Sequence, residues 1–375
     1  MRLFESLPLT RALGRDANNF DLIRLIAACV VIYGHAFSIS PEPGKQDLFI
    51  VWTGYPAAAM AVKMFFFLSG LLVTNSLIEK RSALQFLIAR FFRIWPALLL
   101  VLIGSAFVIG PLCTRLDLGT YFSDPNTYLY IKRQAFMQTW ATQAAGYYNL
   151  PGVFEGNPYK STVNASLWSL VVEIYAYLVL VALFLVGFTS RKAATLVIAL
   201  VLLDAVLPTR LIFWFLPKGN EDFSYLPFCF AVGAGMAIFK DKVQINIGIP
   251  IGFAMLFYLF HGGEHERYFF YLTAFTAALY LATLPAALRL RPPADLSYGV
   301  FLWGFPIQQM FAMLFPGRGV LMNQIFSTLI ALGMAYVSWH LVEKRAIDFG
   351  RHLSKKIDLA RNGAKSTFAN NNSAT

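Results

Sequence analysis

Four groups of residues in this 375-residue chain have the types and spacings that chemistry needs. The first is Arg24 with His35. Eleven residues at about 100° each bring them to within about 20° of three full helical turns, so they share one face, about 16 Å apart along the axis. Asp21, Ala28 and Ile32 fall close to the same stripe. The second is Ser166-Leu-Trp168-Ser169-Leu-Val-Val-Glu173, in which Ser166, Ser169 and Glu173 recur at i, i+3 and i+7 and form a polar stripe. A carboxylate beside an imidazole orients it and stabilises its charged form, which suits a histidine taking a proton from a hydroxyl. The sequence allows His35 and Glu173 compatible depths. The third group is Lys63 followed by Phe65-Phe-Phe-Leu-Ser69-Gly70, whose small Ser-Gly step permits close helix approach. The fourth is Arg90-Phe-Phe-Arg93, two guanidiniums at i and i+3 on one face.

The elements that must hold these groups are membrane helices. Apolar residues make up 57% of the chain and charged residues only 14%, about half the usual charged share. Long, nearly uncharged stretches recur from residue 20 to 342, which excludes an ordinary soluble fold and makes the bilayer the solvent. Segments of spanning length fall at 20–40, 57–78, 94–113, 164–187, 193–208, 223–239, 245–261, 268–288, 296–316 and 320–342. The expected fold is therefore an all-α polytopic bundle of about ten transmembrane helices. The basic stretch 81–93 reads as an interfacial amphipathic helix. Of the 31 basic residues, twenty lie on one set of alternate loops and the termini, and nine on the other, which places both termini in the cytoplasm. The chain then divides into a cytoplasmic segment 1–19, a membrane domain 20–345 and a polar, partly disordered cytoplasmic tail 346–375. The net charge of +11 belongs to this topology and to anionic lipid; nucleic acid is set aside as a partner.

Charges at bilayer depth cost about 2.5–3.5 kcal/mol each on insertion scales and so face a protein interior or a watery cavity. Ordinary roles stay open beside the chemical ones: Arg24 as a snorkelling anchor, His35 as an interhelical hydrogen-bonding residue, Ser69 as packing, and Arg90 with Arg93 as lipid headgroup contacts. The sharper reading of the two arginines is a phosphate clamp able to hold the diphosphate and 3′-phosphate of coenzyme A, with Arg24 at a similar depth.

Taken together, Arg24-x10-His35, Phe65-Phe-Phe-Leu-Ser-Gly70, Arg90-x-x-Arg93, Ser166-Leu-Trp-Ser-Leu-x-x-Glu173, Asp295-Leu-Ser-Tyr-Gly299 and Val342-Glu-Lys344 resemble acyltransferase family 3. Many of these integral membrane acyltransferases O-acetylate bacterial surface polysaccharides. The resemblance covers the whole membrane domain. It implies a cytoplasmic acyl-coenzyme A donor, foremost acetyl-coenzyme A, with Arg24, Arg90 and Arg93 near its phosphates. It implies His35 as catalytic residue, supported by Glu173, and a sugar hydroxyl of a lipid-linked or exported glycan as acceptor. Tyr298 is placed along the donor path, and Lys63, Ser69, Ser166, Trp168 and Ser169 along the substrate path. The implied location is the bacterial inner membrane. Where family members often carry a His in the ninth span, this chain has Gly304, in Phe301-Leu-Trp-Gly304-Phe-Pro306-Ile-Gln308-Gln309, and either glutamine can face the pathway instead.

Other signals are weak. Cys29, Cys113 and Cys229 lack the spacing of a disulfide framework or zinc site, and His261-Gly-Gly-Glu-His265 has no helix to align its imidazoles, so no metal is expected. His340 and His352 lie at or beyond the inner end of the last span. The long outer loop 114–163 carries Trp140, Tyr147, Tyr148 and Tyr159, aromatic faces suited to sugar rings. Two other function classes remain. A transporter would use Arg24, Lys63, Glu173 and Asp204 as a substrate or proton pathway, and a membrane scaffold would leave those charges unexplained.

Overall fold

A computed structural model describes residues 5–14, 16–138, 149–187, 190–207, 223 and 225–372. The described chain is mostly helical, and a helix falls on each of the ten apolar segments: α1 (Phe20–Ile39), α2 (Ala57–Lys80), α3 (Ala83–Gly104), α4 (Leu167–Leu185), α5 (Arg191–Val206), α6 (Leu226–Ile238), α7 (Gly248–Leu259), α8 (Glu266–Ala282), α9 (Ser297–Leu314) and α10 (Gly319–Ser338). A final helix, α11, runs Lys344–Asn372. Among the described residues, five segments are long and apolar enough to cross a membrane: Phe20–Ile39, Ala57–Lys80, Ala83–Cys113, Leu167–Leu185 and Gly319–Leu359. The apolar helices α6 and α7 are shorter. One antiparallel strand pair, Leu7–Pro8 with Gln244–Ile245, ties the N-terminal segment to the α6–α7 connection.

Side-chain caps set the helix starts. Asn19 accepts from the Leu22 amide at 3.1 Å and begins α1, and Ser190 accepts from the Ala193 amide and begins α5. Ser82 accepts from the Gln85 amide, so α3 begins at Ala83. The basic stretch expected as a separate interfacial helix is therefore the first part of α3, and Arg90 and Arg93 ride on a continuous rod. Past Gly104 the rod opens into a π turn at Ser105–Ile109 before closing at Cys113. The buried Tyr121 hydroxyl enters that turn and donates to the Ala106 carbonyl at 2.7 Å. A second π turn, Trp339–Glu343, joins α10 to α11.

The core centres on α2, which packs against α1 and α6. Gly70 and Gly233 make the α2–α6 contact backbone to backbone: a β-carbon on Gly70 would lie 2.2 Å from the Phe230 carbonyl oxygen, and one on Gly233 2.1 Å from that of Phe67. The Ser69-Gly70 step thus gives the close approach that its small residues allow. Phe67 stacks on Phe275 of α8 with ring centroids 4.3 Å apart. On the other side of α1 lie α9 and α10, packed on each other. Where the sequence expects a partly disordered tail, α11 lies along α3, with Phe349 against Phe92 and Gly350 beneath the Phe92 ring.

Candidate active site

At one end of the bundle, three helices converge on Asp295. This residue stands just before α9 and accepts from Arg93 of α3 at 2.6 Å, from Arg24 of α1 at 3.2 Å and from the Ser297 hydroxyl at 2.7 Å. Arg93 donates with its other nitrogen to Glu343 at 3.0 Å, and Glu343 also accepts from Ser338 at 2.8 Å. The Arg93 guanidinium lies 5.3 Å from the Tyr298 ring centroid and 5.9 Å from that of Trp339, an aromatic slot that fixes its plane. The Tyr298 hydroxyl donates to the Ile94 carbonyl at 3.1 Å. Burial alone would push the Asp295 carboxyl up, but Arg93 and Arg24 hold it well below the ordinary carboxylate range. Arg24 and Arg93 are thus a positive pair held ready by two carboxylates, which an incoming anion would have to replace. Arg90, one turn before Arg93, makes no ion pair among the described residues; its Nε is buried and its guanidinium lies 6.0 Å from the Phe86 ring centroid.

The second cluster joins α2 to α4. Glu173 accepts from the Ser69 hydroxyl at 2.9 Å and from the Tyr177 hydroxyl, and those two hydroxyls are themselves 2.9 Å apart. Tyr177 packs edge-on against Phe86, close to Arg90. Arg24 lies within electrostatic reach of Glu173. The carboxylate therefore sits in the layer of the arginines, and the pairing with His35 that the sequence allowed is not among the hydrogen bonds that Glu173 makes with described residues.

His35 lies three turns further along α1. Its ring meets Phe305 of α9 edge-on, centroids 5.2 Å apart, and Phe305 in turn meets Tyr159 at 5.5 Å. Around it the register of α1 is fixed by α9 and α10. Gln308 donates to the Ile32 carbonyl at 2.8 Å, Gln324 to the Tyr33 carbonyl at 3.0 Å, and Asn323 to the Ser40 hydroxyl at 2.9 Å. Gly304 belongs to the same contact: a β-carbon there would lie 2.7 Å from Ile32 Cγ1, so a larger residue would have to push the buried Ile32 side chain aside. Pro306 has no amide proton and frees the Leu302 carbonyl from its usual helical partner. Asn164, fully buried ahead of α4, supplies that proton at 2.9 Å.

The remaining expected residues are dispersed. Lys63 is buried on α2, within electrostatic reach of Cys229. Ser166 stands at the N-cap position of α4 with its buried hydroxyl making no capping bond, while Ser169 donates back to the Ser166 carbonyl at 3.3 Å, so Ser169 is spent on its own helix. Trp168 lies against Phe223, ring centroids 4.4 Å apart. Asp204 is buried on α5. Neither Gln308 nor Gln309 faces an open path: both are fully buried, and Gln309 holds Asn157 at 2.8 Å and the Tyr159 and Thr162 carbonyls at 2.7 Å. Trp140, Tyr147 and Tyr148 lie outside the described residues. Sequence reasoning gave no role to Asp295 and Glu343, although both stand in motifs it singled out. A carboxylate beside a membrane arginine layer is the signal that points to them.

A family described as "Acyltransferase domain" matches residues 18–343, from just before α1 to the last residue of the second π turn. An "O-acetyl transferase" of Shigella phage Sf6 is 27% identical over 354 residues, covering 92% of this chain and 99% of the phage protein. "Nodulation protein 10" of Rhizobium leguminosarum bv. viciae is 33% identical over 198 residues, half of each chain. No solved structure matches the chain. The first five motifs, Val342 and Glu343 of the sixth, the arginine–carboxylate cluster and helices α1 to α10 fall within the matched span, and the chain is a member of this acyltransferase family.

Proposed function

We propose that the protein is a multi-pass O-acetyltransferase of the bacterial inner membrane, with ten crossings and both termini in the cytoplasm. It moves an acetyl group from acetyl-coenzyme A to a sugar hydroxyl of a cell-surface or lipid-linked glycan. The observation that carries this reading is that one helix, α1, presents Arg24, which shares Asp295 with Arg93, and, about 16 Å further along, His35 against the Phe305 ring. An extended thioester donor held by its phosphates at the arginines can lay its acyl end toward His35.

In this scheme the donor phosphates take over the guanidinium protons now held by Asp295 and Glu343, and Glu173 with Ser69 and Tyr177 holds α4 against α2 beside the donor. His35 removes the proton of the sugar hydroxyl as its oxygen bonds to the acyl carbon. The carbon–sulfur bond breaks, and the proton passes to the leaving thiolate, giving an ester and free coenzyme A. An acyl-histidine formed first would give the same balance in two steps.

The test uses purified protein in proteoliposomes, with labelled acetyl-coenzyme A on the arginine side and membrane glycan as acceptor. His35→Ala should abolish labelling of the glycan, and Arg93→Gln should raise the KM for acetyl-coenzyme A. Full activity of His35→Ala would refute the assignment, as would solute flux without consumption of the donor.

A further inference from the structure

The end of the bundle opposite the arginine cluster holds a cavity of about 340 Å³ that neither the arginines nor His35 account for. That volume lies within the range of small-ligand sites, at its lower end. Its position relates it to His35. Ile39 lines it, one turn beyond His35 on the same face of α1, and Ala312 of α9 lines it from the other side. Ile39 and Ala312 pack with Phe305, whose ring meets His35. The floor of the cavity is thus the small apolar layer that covers the imidazole.

Its walls are held in place. Asn157 donates to the Gln309 side chain at 2.8 Å and to the Gln309 carbonyl at 2.9 Å, so the loop segment 154–158 that forms one wall is fastened to α9. Three other lining residues have side chains without such ties. Arg115 and Glu155 make no ion pair among the described residues, either with each other or elsewhere, although both line the cavity. Phe315 is half exposed. The lining therefore offers a fan of donors, a carboxylate acceptor and an aromatic face, and its formal charges cancel. A pyranose presents the complementary set: hydroxyls that both donate and accept, and a C–H face that stacks on a ring. A uronate or phosphorylated sugar would attract Arg115 but meet Glu155 as a like charge, so the balanced lining gives it no net gain over a neutral sugar and adds the cost of desolvating its charge.

Resting on the glycan-acetylation reading above, we infer that this cavity is the acceptor subsite, that it takes a neutral pyranose unit, and that Arg115, Glu155 and Phe315 set its specificity. These residues position the sugar; the chemistry stays with His35.

The test compares wild type with Arg115→Ala, Glu155→Gln and Phe315→Ala in membrane vesicles carrying the natural glycan, with labelled acetyl-coenzyme A as donor. Each variant should raise the apparent KM for glycan at least about fivefold while the KM for acetyl-coenzyme A stays within about twofold, a split that a general folding defect would not give. Added methyl α-D-glucopyranoside should compete with the glycan, and methyl α-D-glucuronide should not. Unchanged glycan KM in all three variants, parallel shifts in both KM values, or stronger competition by the glucuronide would overturn the inference while leaving the acetyltransferase reading intact. If wild type transfers no label to any glycan, both fall together.

Discussion

A single methyl group placed at two neighbouring glycines of α6 should act with opposite sign. At Gly233 a β-carbon would lie 2.1 Å from the Phe67 carbonyl oxygen and 2.7 Å from the Leu71 amide nitrogen of α2, against an ordinary contact of about 3.4 Å. The obstacle is backbone, which cannot rotate aside, so α2 and α6 must separate by about 1 Å. A gap of that size forfeits a quarter to a half of the dispersion energy along the contact. Overpacking of this kind costs about 3 kcal/mol, the upper part of its usual range, and the better helix propensity of alanine returns at most about 1 kcal/mol, leaving a net loss of about 2 kcal/mol. At Gly235, two residues on, the same β-carbon would stand 3.7 Å from the Ile198 side chain, an ordinary contact. There the propensity gain stands alone, worth up to about 1 kcal/mol. At roughly 2–4 °C per kcal/mol, tryptophan-fluorescence melts in detergent should show Gly233→Ala lower by about 4–8 °C and Gly235→Ala higher by about 2–4 °C. Shifts of the same sign, or of equal size, would refute the backbone-contact argument.

Three further outcomes are expected. Asn164→Ala should destabilise by about 1–3 kcal/mol because the buried Leu302 carbonyl loses its donor; adding Pro306→Ala, which restores the helical amide, should recover part of that loss, and strict additivity in the melts would count against the substitution of side chain for backbone. Tyr121→Phe should cost about 1–2 kcal/mol by leaving the Ala106 carbonyl of the first π turn unpaired, measurable as a lower midpoint with unchanged helix content by circular dichroism. Because Asp295 is held below the ordinary aspartate value of 3.8, its contribution is complete above that value and is lost only as pH falls further. The stability difference between wild type and Asp295→Asn should therefore stay constant from about pH 7 to 5 and shrink only in stronger acid; a difference that vanished above pH 5 would contradict the ion-pair account.

Much of this architecture was legible because membrane helices announce themselves by length and hydropathy, and the ten apolar segments all hold helices. Arg24 and His35 were placed on one face by arithmetic alone. Depth between helices was harder. The sequence allows Glu173 and His35 compatible depths, but it does not reveal that Glu173 accepts from Ser69 and Tyr177 and lies within electrostatic reach of Arg24. Partners distant in sequence were not visible either: Arg93 finds Asp295 and Glu343 across gaps of 202 and 250 residues, which no local pattern encodes. Gly304 read as a missing polar group and is instead a steric requirement, set by where Ile32 comes to rest. The start of α3 was misjudged because a basic amphipathic stretch and the first turns of a long helix have the same composition, and only the Ser82 cap separates them.

The π turn at Trp339–Glu343 has an evolutionary consequence. Such a turn is what remains when one residue is inserted into a helix, and it offsets everything downstream by about 100° relative to an uninterrupted α-helix. Here the inserted phase serves both sides of the turn: Glu343 points at Arg93, while Phe349 and Gly350 meet Phe92. Removing a single residue from this stretch would let the helix run on, withdraw the carboxylate from the arginine and turn the tail helix off α3 together. Substitutions at His340, Leu341 and Val342, between the two Arg93 partners Trp339 and Glu343, should thus be tolerated in descendants far more readily than changes in the number of residues.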